Sequence, residues 1–192
     1  TGEIYSVGGC INRAKGDEVD EMIVKKIEEA MKEGDSVGGV ISCKATGICA
    51  GIGSPIFDNV ESRISAVIYS IPGVKGLEFG DGFAITEKKG WEVNDCFTRR
   101  EERVETKTNH SGGIMGGITT GMPIELKVAI KPTPSISKGQ STLNVETGKE
   151  ERLSIQGRHD PCIALRAPVV VEAAVAIALM DLYLEAYGYV TR

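Results

Sequence analysis

The chain has 192 residues, which is enough for one domain, residues 1–192, with its own hydrophobic core. Hydrophobic residues make up 41% of the sequence and charged residues 26%, so the composition is that of a globular protein rather than a disordered one. The net charge of −5 argues against a general nucleic-acid-binding surface. No signal peptide is recognisable, and we expect no apolar run of the ~20 residues that a membrane span needs, which predicts a cytoplasmic protein with no membrane partner.

The cysteines give no indication of a metal site. There are five of them, no C-x-x-C pair occurs, and the chain has only two histidines. We therefore predict no metal ligands, and we expect reduced, mostly buried cysteines, as is usual in the cytosol.

In the first half of the chain, apolar spacing and turn residues predict alternating strands and helices. A short strand with a glycine pair, Ile4–Ile11, precedes an amphipathic helix that Asp17 would cap and Gly34 would end. A hairpin over Val37–Ala50 follows. The next helix would begin in a capping box of Asp58 and Glu61 and end at Pro72-Gly73. Its predicted apolar stripe is Val60, Ile64, Val67, Ile68 and Ile71.

In the second half, strands are predicted at Val74–Phe79, Pro123–Ile130 and Gln140–Val145, with a polar turn at 146–152. The last helix starts at Pro168 and is apolar nearly all round, which is typical of a buried core helix. Gly38–Gly47 resembles Gly112–Gly121, a weak internal repeat. Together these elements predict an α+β fold in which helices pack centrally against antiparallel strands.

A glycine-rich stretch, Ser111–Gly121, is the first candidate site. Glycines such as Gly116 let a ligand approach the backbone closely, but they also occur where a bulged strand packs tightly on a helix, and both interpretations remain open. The spacing is not that of a dinucleotide-binding fingerprint.

Two further segments carry charge. The rigid loop Lys131-Pro-Thr-Pro-Ser135 presents an ammonium and two hydroxyls, a set that suits phosphate oxygens, although it could be an ordinary surface turn. In Gly157–Cys162, Arg158 could hold an anion and Asp160 could accept a proton, or the two could simply pair with each other. We expect these segments and the glycine-rich stretch to meet in one pocket for an anionic, phosphate-bearing ligand.

An ordered set of motifs resembles the chorismate synthase family. It runs through the whole chain and comprises Gly34–Gly39, Gly51–Asp58, Ile71–Phe83, Asn109–Gly117, Lys131–Ile136 and Gly157–Cys162, of which Gly-Arg-His-Asp-Pro is the most specific. The resemblance covers only the C-terminal half of that family. The family's Gly-Glu-Ser-His-Gly and Arg-Ser-Ser-Ala-Arg-Glu-Thr segments, and two histidines that act there as acids, are not present.

The resemblance implies a flavoprotein lyase of the shikimate pathway, in aromatic amino-acid biosynthesis. Its expected fold is a β-α-β sandwich with an internal pseudo-repeat, assembled as a homotetramer. The family converts 5-enolpyruvylshikimate 3-phosphate to chorismate and phosphate by 1,4-elimination, with reduced FMN as cofactor and NADP as an associated nucleotide. Carried over by motif, Asp160 is the proton relay beside the flavin. The residues expected to bind the cofactor are Pro72, Gly73, Gly116, Lys131, Pro132, Thr133, Pro134, Ser135 and Arg158.

Two functional hypotheses follow. In the first, the chain supplies the flavin side of the lyase, needs the N-terminal part of the same enzyme as its partner, and is inactive alone. In the second, it is a truncated scaffold or assembly module that binds no flavin.

Overall fold

The computed structural model describes residues 1–14 and 18–188. Its centre is a five-stranded antiparallel sheet in the order β2-β1-β3-β9-β4. The strands of this sheet are β1 (Gly2–Val7), β2 (Cys10–Ile11), β3 (Gly39–Ala45), β4 (Val74–Phe79) and β9 (Ile124–Ile130). Mixed helix and strand content with antiparallel pairing confirms the α+β class.

The longest pairing, β3 with β9, defines the two ends of the sheet. Gly39 lies opposite Ile130 at one end, and Ala45 lies opposite Ile124 at the other. We refer to these as the Ile130 end and the Ile124 end. Strand β4 begins beside Ile130, because Val74 is paired with it.

One face of the sheet is apolar and the other is polar, as expected for an antiparallel sheet with one solvent-exposed face. Alternate residues of β9 (Ile124, Leu126, Val128 and Ile130) are buried, whereas Lys127 points to the other face and lies 2.9 Å from Glu78. That ion pair raises the pKa of the Lys127 ammonium, against the opposing effect of its partial burial. Lys127 and Glu78 therefore neutralise each other on the polar face.

Helices cover the apolar face. They are α1 (Glu21–Lys32), α2 (Val60–Ile68) and α4 (Ala167–Tyr187), of which α2 and α4 pack on each other and α4 also packs on β1 and β3. A single exposed helical turn, α3 (Gly90–Val93), buries none of its residues. The predicted stripe of α2 is confirmed, with Val60, Ile64 and Ile68 fully buried. Arg63 ties the two helices together through Glu185 of α4, at 2.7 Å, and through Asp181.

The remaining strands form small ribbons outside the sheet. These are β5 (Phe97–Arg100) with β6 (Arg103–Thr106), β7 (Ile114–Met115) with β8 (Ile118–Thr119), and β10 (Gln140–Asn144) with β11 (Lys149–Leu153). Within the described residues, no second sheet covers the outer side of α2 and α4. The sandwich with central helices is therefore not complete in this part of the chain.

Several predicted boundaries were wrong. Helix α1 begins at Glu21 with Asp20 as its N-cap, whereas the predicted cap, Asp17, lies outside the described residues. Asn59, not Asp58, caps α2, because its side chain accepts the Ser62 amide hydrogen, and Asp58 instead lies 3.5 Å from Arg63.

The expected hairpin over Val37–Ala50 contains only β3, and the predicted polar turn at 146–152 includes most of β11. The two stretches of the suspected repeat form different local structures, because Gly39–Ala45 is one strand whereas Ile114–Thr119 is a tight hairpin. Only Cys43 and Cys162 of the five free cysteines are buried, so the expectation of mostly buried cysteines was wrong as well.

Helix α4 differs most from its prediction. It buries one side, including Val171, Val175 and Leu182, but it exposes a second apolar side that includes Ile177 and Met180. The helical segment Ile163–Tyr187 is long and apolar enough to cross a membrane by length and composition, so the expectation that no apolar run has that length was wrong. Core helices pass the same test, and α4 packs on the sheet as a core helix does.

Candidate functional site

The loop Lys131–Ser135 follows β9 and lies at the Ile130 end of the sheet. The Lys131 amide donates a 2.9 Å hydrogen bond to the carbonyl of Gly73, which places Pro72-Gly73 beside the loop. The side chain of Lys131 is exposed. Two of the predicted segments therefore lie together, because β9 ends where β4 begins.

The segment Gly157–Cys162 reaches the same end through the loop that precedes β3. In that loop, Ser36 Oγ donates to the Thr133 carbonyl at 2.7 Å, and the Val37 amide donates to the Pro161 carbonyl at 2.8 Å. Two adjacent residues thus join the lysine-bearing loop to the segment that contains Arg158 and Asp160. The two segments therefore lie at the same end of the sheet.

Asp160 is held in a defined orientation. Its Oδ1 accepts the Cys162 amide hydrogen at 3.1 Å, a local turn that fixes the carboxylate. Its Oδ2 lies 2.9 Å from Arg166 Nη2, yet this buried oxygen makes no hydrogen bond. Because the Arg166 side chain is 80% exposed, this ion pair is largely solvated and contributes little to stability.

Thr133 carries a second buried oxygen without a partner, its Oγ1. A buried polar atom that makes no hydrogen bond costs roughly 1–3 kcal/mol, so such atoms are uncommon and tend to mark places where another molecule binds. Two of the four such atoms found in the described part of the chain belong to residues predicted to face a ligand.

Arg158 and His159 have different surroundings from those of Asp160. Arg158 is exposed, and within residues 1–14 and 18–188 it takes part in no ion pair, so the alternative of an Arg158–Asp160 pair is not what forms. His159 Nε2 lies 2.9 Å from the Ile155 carbonyl, the bonded structural role that is usual for a lone histidine. Arg158 is therefore free to contact an anion at this end.

The glycine-rich stretch lies at the opposite end. It precedes β9, which has seven residues and spans roughly 20 Å at about 3.3 Å per residue. Gly116 is therefore far from Lys131 and Arg158 within one chain. The expectation that all three segments meet in one pocket of a single chain was wrong, because a strand separates them.

Gly116 and Gly117 form the two-residue turn between β7 and β8. Their φ angles are +59° and +83°, the left-handed conformation that a type I′ hairpin turn requires at both positions. A Cβ added at Gly117 would lie 2.4 Å from the Ser54 carbonyl oxygen, whereas one at Gly116 would meet nothing within 4 Å. Tight packing accounts for Gly117, and Gly116 remains open to a contact.

Charged residues at the Ile124 end were not singled out as a cluster from the sequence. Asp95, 7% exposed, accepts hydrogen bonds from Thr108 Oγ1 at 2.7 Å and from the His110 and Ser111 amides at 2.8 Å each. Burial alone would raise the pKa of this carboxyl, but these donors outweigh it and hold the pKa below its usual value. Because partners 13 to 16 residues away supply the hydrogen bonds, only a prediction of the loop's path could have found them.

Asp81 of the same cluster contacts a lysine and a histidine. Its Oδ2 lies 2.6 Å from Lys88 Nζ and 2.7 Å from His110 Nδ1, and the hydrogen bond from Lys88, supported by that of His110, holds the carboxyl pKa below its usual value. This result supports a structural role for His110. No group of three potential metal ligands was found in the described ranges.

The exposed apolar side of α4 lies between two grooves. One, of about 710 Å³, runs beside Ala45–Ile48 and is lined by Ala176, Leu179 and Met180. The other, of about 670 Å³, lies between α2 and α4 and again includes Ala176 and Met180. Charged residues, Lys44 and Glu172 in one groove and Arg63 and Asp181 in the other, border this apolar ridge. A mainly apolar ridge of this kind is the surface of a helix layer that another layer can cover.

Fold and site together define an α+β protein with two charged loops gathered at one end of its sheet. The family model described as chorismate synthase matches residues 7–184. A protein from Chitinophaga pinensis named chorismate synthase is 50% identical over 158 residues, which cover 82% of this chain and 47% of that protein. A Pyrococcus abyssi protein of the same name is 46% identical over 165 residues, 86% of this chain and 46% of the relative.

A solved structure titled "Crystal Structure of Chorismate Synthase" superimposes with a TM-score of 0.71 at 32% identity, covering 88% of this chain and 44% of that one. The chain belongs to the chorismate synthase family. It spans about half the length of the curated relatives that it matches.

Proposed function

We propose that this chain supplies the flavin-binding side of a lyase that converts 5-enolpyruvylshikimate 3-phosphate to chorismate and phosphate. The observation that carries the proposal is the gathering of Lys131, Thr133 and Asp160 at the Ile130 end, with the Thr133 hydroxyl buried and without a partner. Family membership supports the reaction class.

The residues at this end fit reduced FMN. A phosphate needs cations and hydroxyls, and the exposed Lys131 and Arg158, with Thr133 Oγ1 and Ser135, supply them. Pro72-Gly73, hydrogen-bonded to the loop, would lie against the flavin. When bound, reduced FMN would lend electron density to the substrate while phosphate departs.

Asp160 would be the proton relay of the site. Its Oδ1 is fixed by the Cys162 amide, and its Oδ2 pairs with the exposed Arg166, a contact for which a bound ligand would compete. A carboxylate oriented in this way can accept a proton from the flavin without rearrangement of the loop.

Gly116 takes no part in this chain's own pocket, because β9 separates it from Lys131. It could contact a flavin only at the Ile130 end of another copy. This requirement agrees with a homotetramer, which we propose as the assembly.

The partner that completes the site would be the N-terminal part of the same enzyme. The apolar ridge and grooves of α4 offer a surface on which a second layer can pack. That part would carry the general acids that a departing phosphate needs, and we expect the chain alone to turn over no substrate.

Flavin binding tests the proposal. The chain is titrated with oxidised FMN, alone and with the N-terminal half of the Chitinophaga pinensis relative, while flavin fluorescence is followed. We expect weak binding alone and at least about tenfold tighter binding in the mixture. Lys131→Ala and Arg158→Ala should each weaken it, whereas Lys149→Ala, an exposed lysine of β11, should not.

The competing hypothesis of a scaffold that binds no flavin gives a different result. In that case FMN binding stays absent in the mixture as well, although the two halves associate. Formation of chorismate by the chain without its partner would contradict the expected inactivity.

A further inference from the structure

The loop Gly34–Gly39 has a role that the proposed flavin site does not include. It leaves α1 at Gly34, whose φ of +67° ends the helix, and it enters β3 at Gly39. Between these points Ser36 and Val37 contact both charged loops through the Thr133 and Pro161 carbonyls. The loop is thus placed between the segments that a ligand would bridge.

The sequence of the lysine-bearing loop explains why an external donor is needed. Pro132 and Pro134 have no amide hydrogen, so on either side of Thr133 the backbone cannot donate a hydrogen bond to anchor itself. The Lys131 amide anchors one end of the loop to Gly73, and the Ser36 hydroxyl binds the central carbonyl, that of Thr133, at 2.7 Å.

Asp35 holds the neighbouring backbone in place. Its Oδ1 accepts the Ser36 amide hydrogen at 2.9 Å, and its Oδ2 lies 2.8 Å from Lys138 Nζ, on the far side of the loop. The Lys138 amide also donates to the Gly34 carbonyl at 2.9 Å. The segment that carries Ser36 is therefore fixed at two separate points to Lys138, which follows the Lys131–Ser135 loop.

Other contacts join the charged loops farther along the chain. The Ile155 amide donates to the Ile136 carbonyl at 3.2 Å, and Ser154 Oγ donates to the Ser137 carbonyl at 2.6 Å, both at the base of the β10–β11 ribbon. These contacts hold the ribbon. They do not involve Thr133, whose carbonyl is bound by Ser36.

We infer that Ser36 is a positioning residue, whose hydroxyl holds the Lys131–Ser135 loop so that Thr133 Oγ1 and Lys131 face an anionic ligand next to Asp160. The inference rests on the proposed function for the identity of the ligand. The state of the loop is independent of the proposed function, because it can be measured without any ligand.

The test compares Ser36→Ala, Ser36→Thr and the control Ser141→Ala, an exposed serine of β10, in the 192-residue chain. Nuclear magnetic resonance follows amide hydrogen exchange at Lys131, Thr133 and Ser135, and the shifts of these amides during FMN titration. In Ser36→Ala we expect about tenfold faster exchange at Thr133 and Ser135 and about tenfold weaker FMN binding, with thermal unfolding nearly unchanged.

Ser36→Thr keeps the hydroxyl and should restore exchange and binding to within about twofold of the original chain, which loss of packing alone would not explain. Unchanged exchange in Ser36→Ala would overturn the positioning role. If FMN shifts none of these amides in the original chain, even with the relative's N-terminal half present, the proposed function fails, while the exchange comparison still decides the role of Ser36.

Discussion

The carboxylate of Asp95 and the backbone amide of Ser111 are joined by a 2.8 Å hydrogen bond, which fixes the start of the glycine-rich stretch to a segment 16 residues earlier. Because two more donors share this buried carboxylate, Asp95→Ala would leave three hydrogen-bond donors without an acceptor. We expect it to lower the free energy of unfolding by roughly 2–4 kcal/mol. Asp95→Asn, which keeps one acceptor oxygen, should lose less; urea unfolding of both variants measures the difference.

The same carboxylate predicts an acid-sensitive contribution to stability. Its pKa is lower in the folded chain than in the unfolded one, so between the two values the unfolded chain binds more protons and stability falls as pH falls. The contribution should be complete above the unfolded pKa of about 4 and should disappear as the pH drops through the lower folded value. Urea unfolding between pH 6 and about 2.5 should show a smaller acid loss in Asp95→Asn than in the original chain. Equal losses would contradict the assignment.

The hairpin turn predicts opposite outcomes for two adjacent glycines. Asparagine tolerates the left-handed conformation, and Gly116 faces open space, so Gly116→Asn should change stability by less than about 0.5 kcal/mol. Gly117→Ala combines φ of +83° with a Cβ 2.4 Å from the Ser54 oxygen, so it should cost roughly 2 kcal/mol or more. Thermal unfolding of both variants measures the two changes in stability. Similar losses at both positions would argue against the type I′ turn.

Periodicity in the sequence predicted those elements whose partners lie within a few residues. Strand β4 was found with its exact bounds, Val74–Phe79, and the apolar stripe of α2 was right, because alternation and helical spacing are local properties. The helix starts were less accurate. Asp20 and Asn59 act as caps through side-chain bonds to amides two or three residues later, and nearby acidic residues fit the same pattern equally well.

The site was predictable only where motifs follow one another at the same end of the sheet. Lys131 and Gly73 were expected at one site and are hydrogen-bonded neighbours. Gly116 was placed with them because the glycine-rich stretch precedes Lys131 by few residues, but β9 lies between and spans roughly 20 Å. Sequence distance is a poor guide when a strand intervenes. Ser36 and Asp95 were missed as anchors because their partners, Thr133 and Ser111, are distant in sequence.

Helix α4 offers the sharpest test of the missing partner, because its two apolar sides differ in burial. Ile177 is 63% exposed and lines the groove between α2 and α4, whereas Val171 is fully buried in the core. Ile177→Asp should therefore leave the free energy of unfolding within about 0.5 kcal/mol of the original chain, and Val171→Asp should lower it by more than about 3 kcal/mol. If the exposed side receives the N-terminal part of the enzyme, Ile177→Asp should also abolish association with the N-terminal half of the Chitinophaga pinensis relative, measured by sedimentation, because an unpaired carboxylate would be buried there. Met180→Leu, a volume-conserving change on the same side, should keep association. Undiminished association of Ile177→Asp would place the partner elsewhere on the molecule.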